Sequence, residues 1–364
     1  MPHTPRDYSL DNLKTALTAL VILHHTAGMC GLDRFVYSLP QLGDEGAAGY
    51  GLLSNFQGLN QGYFMSLFFF ISALFIPASL ERKGASAFIA DKLKRYGLPL
   101  ILTLTLIFPL AAYVAYFQSD GFDAVMAGYL DLQIGNLNAY AIDFGVAWFL
   151  WTLLIFSGVY LAWNSLLKRG PVPTSATPAK PAPFPPFWQV FALACVMIPV
   201  NFAALALENK VGENFLGLHH LKYFPMYVVM FTAGIIAARR GWIEQLTMKT
   251  VLPWTCLAIL AYVWRDLGEM VTRPFTVIGM SMFLVYAFRH AYAGSSALSQ
   301  TLARASYAAY LIQTITIAFV GVVFVHVMTQ NPLLNFAVTG LFTLPLSFLV
   351  GHYLRQLPGL RRIL

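Results

Sequence analysis

The sequence predicts an all-α polytopic membrane protein, about ten transmembrane helices in one bundle, and three observations carry that expectation. Of 364 residues, 58% are hydrophobic and only 11% charged, far outside the make-up of soluble domains. The apolar residues gather into runs near the length of about 20 that a helix needs to cross a bilayer. The runs fall at roughly 10–29, 62–80, 96–117, 145–166, 188–207, 223–240, 250–265, 275–291, 306–328 and 333–353. With both termini cytoplasmic, only Arg34, Lys210, Lys222, Arg265 and Arg273, of 23 Lys and Arg, lie on the outer side, as the positive-inside rule favours. The net charge of +7 thereby reflects topology, and no basic, aromatic-interleaved patch signals nucleic-acid binding.

The first span follows a short segment, Met1 to Arg6, and contains histidines and no small-residue cleavage pattern, so it is expected to be retained and not cleaved as a signal peptide. At 100° per residue, Asp11, Lys14, Thr18, Ile22 and His25 fall within about 80° of one another. This polar stripe on an oily cylinder should face protein or a cavity, because ionisable groups at membrane depth are costly unless paired or wetted. His24 points about 100° away from His25, so the two do not share one task. His25 lies twelve residues beyond Leu13, roughly 18 Å along the helix and past the midplane toward the outer face. Its imidazole titrates near neutrality, as a general base requires. An ion pair that orients the helix explains Asp11 and Lys14 equally well, and a carbonyl-bonded core residue is the plain reading of either histidine.

The next connection, 30–61, is long and Gly-rich with scattered acids, and 118–142 holds three Asp and no Lys or Arg. Each suits a binding loop or a solvated connector. Between the second and third spans, Arg82, Lys83, Lys92, Lys94 and Arg95 form a cytoplasmic collar that serves orientation or anionic headgroups. The fourth span is followed by a Pro-rich cytoplasmic linker at 167–187, extended because its composition forms neither helix nor sheet. No repeat relates the spans before and after it, so residues 1–364 are read as a single membrane domain. Cys30, Cys195 and Cys256 show neither disulfide nor metal-ligand spacing, and no metal site is expected. Trp148, His219 and His220 lie at or near outer span ends, where they could shape an acceptor site; interfacial anchoring explains Trp148 as well. Ser72, Tyr307 and Gln313 offer buried hydroxyl or amide groups to a developing oxyanion, or simply bonds between helices.

The string Tyr8-Ser-Leu-Asp11-Asn-Leu-Lys14, followed by an apolar run to His25, resembles the opening helix of the acyltransferase family 3 integral membrane proteins. That helix reads Leu-Asp-x-Leu-Arg and ends at a histidine eleven residues after the Arg. Phe64 to Ser72, the basic stretch Phe88 to Pro99, Ala147 to Phe156, Phe224 to Gly234 and Ala305-Ser-Tyr307-Ala-Ala-Tyr310-Leu-Ile resemble its successive helices, so the likeness covers nearly the whole chain. The Trp148-Phe-Leu and Tyr223-Phe-Pro features resemble those of the branch that succinylates periplasmic glucans.

The resemblance implies transfer of an acyl group, acetyl or succinyl, from cytoplasmic acyl-CoA, a co-substrate and not a bound cofactor, to a hydroxyl of an extracytoplasmic carbohydrate or glycan. The setting would be a bacterial inner membrane. His25 inherits the catalytic role, with Lys14 and Asp11 beside it on the stripe. The family's Arg-x-x-Arg donor motif maps onto Lys92 and Arg95, i and i+3 on one helix face. Lysine at 14 and 92 lacks the planar fork of arginine. Gln313 stands where many relatives carry histidine, and an amide neither gives nor takes a proton near pH 7. The rival expectation is a transporter or flippase that uses the His25 stripe as a proton or substrate relay.

Overall fold

The computed structural model describes residues 8–32, 49–116, 127, 143–167 and 182–363. Helix α1, Tyr8–Ala27, runs into a π-helical turn, Gly28–Leu32, and α2 spans Tyr50–Ala73. Helix α3, Ile76–Lys92, continues through a π turn at Leu93–Gly97 into α4, Leu98–Leu102, then through another at Thr103–Ile107 into α5, Phe108–Tyr116. The remaining helices are α6, Trp148–Leu166, α7, Phe187–Val211, α8, Phe224–Arg240, α9, Met248–Val263, α10, Glu269–Ala291, α11, Ala297–Phe324, and α12, Pro332–Leu354. Among the described residues none is in a strand, and 7 helical runs are long and apolar enough to cross a membrane. The chain is an all-α, multi-pass membrane protein. The other three predicted positions are occupied by α1 and α2, whose polar residues lower their hydropathy, and by α9, which has 16 residues.

Two boundaries differ from expectation. Helix α2 begins at Tyr50, inside the stretch read as a loop over 30–61, and not at residue 62. Its buried positions there are Leu53, Gln57 and Asn60, spaced as one helical face; two of the three are amides, so the apolar period is invisible to hydropathy. The basic collar is also helical. It forms most of α3, which bends at Gly84 (φ 74°), a left-handed conformation that glycine adopts without strain. Residues 33–48, 117–126 and 128–142, with the acids placed there, lie outside the described residues, as do 168–181 of the Pro-rich linker. Its end, Ala182 to Pro186, is held by one side chain: the Phe184 N–H donates to Gln245 Oε1 (3.0 Å) and Gln245 Nε2 donates to the Ala182 carbonyl (3.0 Å).

The described parts of the chain fall into two compact units. One comprises Met1–Leu13, Gly62–Gly97 and Trp148–Gly294. Its centre is aromatic: the fully buried Phe69 of α2 meets Phe149 and Phe156 of α6 and Tyr227 of α8 at ring-centre distances of 4.7, 5.3 and 4.9 Å, separations at which tilted rings attract. Beside it, Trp254 of α9 packs with Ala194 of α7 and Ile278 of α10. At the crossing of α9 and α10 a Cβ on Gly279 would stand 2.2 Å from the Trp254 carbonyl oxygen. Only a glycine permits that approach, and close backbone packing is what holds helices together in lipid.

The second unit comprises Lys14–Gln61, Leu98–Ala147 and Ser295–Leu364. Here α11 and α12 pack along their length, and a Cβ on Gly351 would lie 2.7 Å from the Ala309 amide nitrogen. Helix α12 presents a buried polar ridge, Asn335, Thr339, Thr343 and Ser347, one residue per four along the helix. Ser347 bonds Thr316 of α11 (2.6 Å) and Thr339 meets the Cys30 thiol (3.7 Å). Helix α1 joins this core through Ile22, packed with Ala305, Ala309 and Phe348.

Gly279→Leu is expected to wedge α9 from α10 and lower stability by about 1–3 kcal/mol or more, the usual penalty of overpacking. A fall in the thermal midpoint of the detergent-solubilised protein, with Gly294→Leu as an unobstructed control, checks this.

Candidate functional site

Helix α1 has little freedom to turn. Leu13, Leu17, Val21 and Ile22 are buried, and of all its residues only Ala16 is exposed. The polar stripe faces protein: Thr18 and Ile22 are buried, and Asp11, Lys14 and His25 are half-buried. His24 is buried on another face, its ring edge-on to that of His25 at 5.5 Å. The end of α1 is tied to α2, where Gln57 Nε2 donates to the His24 carbonyl (3.0 Å), while Thr26 bonds back to the Ile22 carbonyl (2.8 Å). Three residues beyond His25 the helix widens into its π turn. Such widened turns are rare and cluster at functional sites, because they displace side chains from the regular helical register.

Within the same unit, Tyr307 is half-buried and Gln313 fully buried on α11. Gln313 Nε2 donates to the Tyr310 carbonyl (3.0 Å), and its Oε1 has no hydrogen-bond partner among the described residues. The Tyr310 hydroxyl donates a short bond to the Val146 carbonyl, fixing α11 to the 3-10 turn Gly145–Ala147.

The donor-site candidates belong to the other unit. Lys92 ends α3 with only 6% of its surface exposed, its ammonium 5.3 Å from the centre of the Phe88 ring and 5.1 Å from that of Tyr96. Arg95, three residues on and inside the π turn, is exposed. The two cations are therefore not an equally accessible pair: one is lodged among aromatic faces, the other exposed at the surface. Ser72 is half-buried near the end of α2. Trp148 is buried at the start of α6, 5.5 Å from Tyr227 and 5.6 Å from His219 between ring centres.

That last contact leads to a group that sequence reasoning underweighted. The loop between α7 and α8 brings Glu213, His219 and His220 together, with one ligand atom of each within 4.8 Å of the others. His220 Nδ1 pairs with Glu213 Oε1 at 2.7 Å, and His219 Nδ1 with Asn214 Oδ1 at 2.7 Å. Burial pushes the His219 imidazole well below its ordinary pKa, and the hydrogen bond from His220 holds the Glu213 carboxyl below the usual carboxylate range. His219 is accordingly a neutral base at pH 7 and Glu213 an anion. The loop is braced by Lys222, whose N–H donates to Glu208 Oε2 (2.8 Å) and whose ammonium lies 3.4 Å from Glu269. The buried Arg273 lies 3.3 Å from the centre of the Tyr223 ring and 3.3 Å from Glu269. The adjacent histidines were the only signal in the sequence; the approach of Glu213 depends on how the loop folds.

The helical, multi-pass architecture defines a membrane-embedded protein. A family model described as an acyltransferase domain matches residues 7–352. The chain belongs to this acyltransferase family 3, and its class is that of a membrane acyltransferase. Comparison with curated proteins and with solved structures finds no match.

Tyr310→Phe removes the bond to the Val146 carbonyl and is expected to cost about 0.5–1.5 kcal/mol. The thermal midpoint should fall, with retention of the wild-type gel-filtration profile.

Proposed function

We propose that the protein transfers an acyl group, acetyl or succinyl, from cytoplasmic acyl-CoA to a hydroxyl of an extracytoplasmic carbohydrate, in a bacterial inner membrane. The observation that carries this reading is α1 itself. Within a chain that matches the acyltransferase family almost end to end, Lys14 and His25 keep the family's spacing, and His25 is half-buried directly before the helix widens.

In this reading the thioester of the donor comes to His25. As general base, an imidazole nitrogen takes the proton of the acceptor hydroxyl while its oxygen attacks the thioester carbonyl. The C–S bond then breaks and the imidazolium returns its proton to the departing CoA thiolate. As nucleophile, the imidazole nitrogen attacks the thioester carbonyl, the C–S bond breaks and the departing CoA thiolate takes the ring's N–H proton; the acceptor hydroxyl then attacks the acyl-imidazole, the C–N bond breaks, and the hydroxyl proton goes to the freed ring nitrogen. Gln313 Oε1 accepts but cannot donate a hydrogen bond, so an oxyanion at His25 would be met by its amide nitrogen or by a hydroxyl of the same unit such as Tyr307. Arg95, exposed at the π turn, is the first contact for the donor phosphates, with Lys92 behind it among the rings.

The test uses purified protein in nanodiscs with radiolabelled acetyl-CoA and succinyl-CoA and a carbohydrate acceptor. His25→Ala should lose transfer by a factor of about 10²–10⁴, the usual contribution of a positioned general base, or more if the imidazole is the nucleophile. Near wild-type turnover by this variant sinks the reading. Label retained on acid-quenched wild-type protein identifies the nucleophilic route, and label found only on product the general-base route. Arg95→Ala should raise the donor KM about tenfold with kcat retained, corresponding to one lost charge-assisted bond; unchanged KM would remove Arg95 from the donor site.

A further inference from the structure

The loop 212–220 joins two membrane-spanning helices, α7 and α8, and the basic-residue distribution places it on the outer side. We propose that Glu213, His219 and His220 form a binding site for one divalent transition-metal ion of zinc's class. The site is independent of the identity of the acyl donor and of the role of His25.

The donor set is the first argument. Two imidazole nitrogens and one carboxylate oxygen suit borderline ions such as Zn²⁺ or Co²⁺ and not the hard, oxygen-seeking Ca²⁺ or Mg²⁺. Bond lengths near 2.0–2.2 Å place ligand atoms about 3.3 Å apart around a tetrahedral ion. The three ligand atoms here already lie within 4.8 Å of one another, so side-chain adjustments on the order of 1 Å complete the site. Three protein ligands leave a fourth position for water or for an oxygen of an incoming ligand, as in open zinc centres.

The second argument is orientation. The Asn214 side-chain oxygen, 2.7 Å from His219 Nδ1, can only accept. The proton of a neutral His219 therefore sits on Nδ1, and Nε2 keeps its lone pair. This is the outer-sphere bond that metal-binding histidines ordinarily make. His220 Nδ1 and Glu213 Oε1 lie 2.7 Å apart, two ligand atoms that one divalent cation can take together. The two imidazoles are 4.0 Å apart between centres and lean on Trp148 and Tyr223, so their rings are positioned before any ion arrives.

The third argument comes from the backbone. Among the described residues the only non-glycine positions with positive φ are Leu216 (54°) and His220 (51°), both in this loop. A side chain in the left-handed region is held there only when its surroundings dictate it, and such strain concentrates at functional sites. The surroundings are visible: Trp151 Nε1 donates to the Leu216 carbonyl (3.0 Å), and Glu208 accepts from Lys222 N (2.8 Å) just past His220. The loop is braced in a conformation that turns the two adjacent histidines toward one carboxylate.

The experiment takes the full chain without a polyhistidine tag, reconstituted in nanodiscs and stripped with chelator. Co²⁺ is titrated while its visible d–d band is followed, Zn²⁺ is used to displace it, and retained zinc is counted by elemental analysis after gel filtration. The wild type should bind one equivalent saturably and give the intense band of a low-coordinate site. Glu213→Gln should weaken binding by about tenfold or more, and His219→Ala with His220→Ala should abolish it. Saturable binding that survives these substitutions, or a wild type that retains no more zinc than the double variant, overturns the site. Should the double variant fail to fold, Glu213→Gln and a zinc-dependent thermal shift of the wild type decide: no saturable shift overturns the proposal.

Discussion

In lipid no water is available to a backbone amide or a side-chain hydroxyl, so a polar group at depth is costly unless protein supplies its partner. That constraint shapes both units of this protein. Thr103, Thr152, Thr276 and Thr339 bond back to the carbonyl one turn earlier, and Gln57 gives its amide to the His24 carbonyl. The ridge on α12 finds Thr316 and Cys30. The bonds between elements, from Gln57, Ser347 and Thr339, turn those polar faces toward protein, since an apolar face is equally content in lipid.

Helix packing without a hydrophobic driving force depends on close contact. Gly279 on the Trp254 carbonyl and Gly351 on the Ala309 backbone are the points where two helices meet main chain to main chain. Around them bulkier groups do the filling: the Phe69 cluster in one unit, and Ile22 with Phe348 and the small residues of α11 in the other. Close approach leaves little room for adjustment, so a departure from regular helix has to be tolerated locally. The π turns after α1, α3 and α4 are such departures, and two of them adjoin His25 and contain Arg95.

Two chemically distinct polar regions result. One is the α1 stripe that ends at His25, the catalytic candidate of the proposed reaction. The other is the loop carrying Glu213, His219 and His220, braced by Lys222, Arg273 and Glu269 and held in a left-handed bend at His220. The first is laid out along a helix, so its register is visible in the linear order of residues. The second is assembled by a turn.

The sequence by itself determined the helical membrane class, the approximate positions of the helices, the α1 stripe and the family, because bilayer thickness and the helical period leave their marks directly in residue order. It missed the first three turns of α2, since Gln57 and Asn60 disguise a buried face that hydropathy cannot register. Lys92 and Arg95 read from spacing as one helix face, and spacing holds no record that aromatic rings cover Lys92 while Arg95 is exposed. The meeting of Glu213 with His219 and His220, and the partners of Gln245 and Arg273, were decided only by tertiary structure. Side-chain burial and loop curvature depend on what packs alongside, and local spacing holds no record of that.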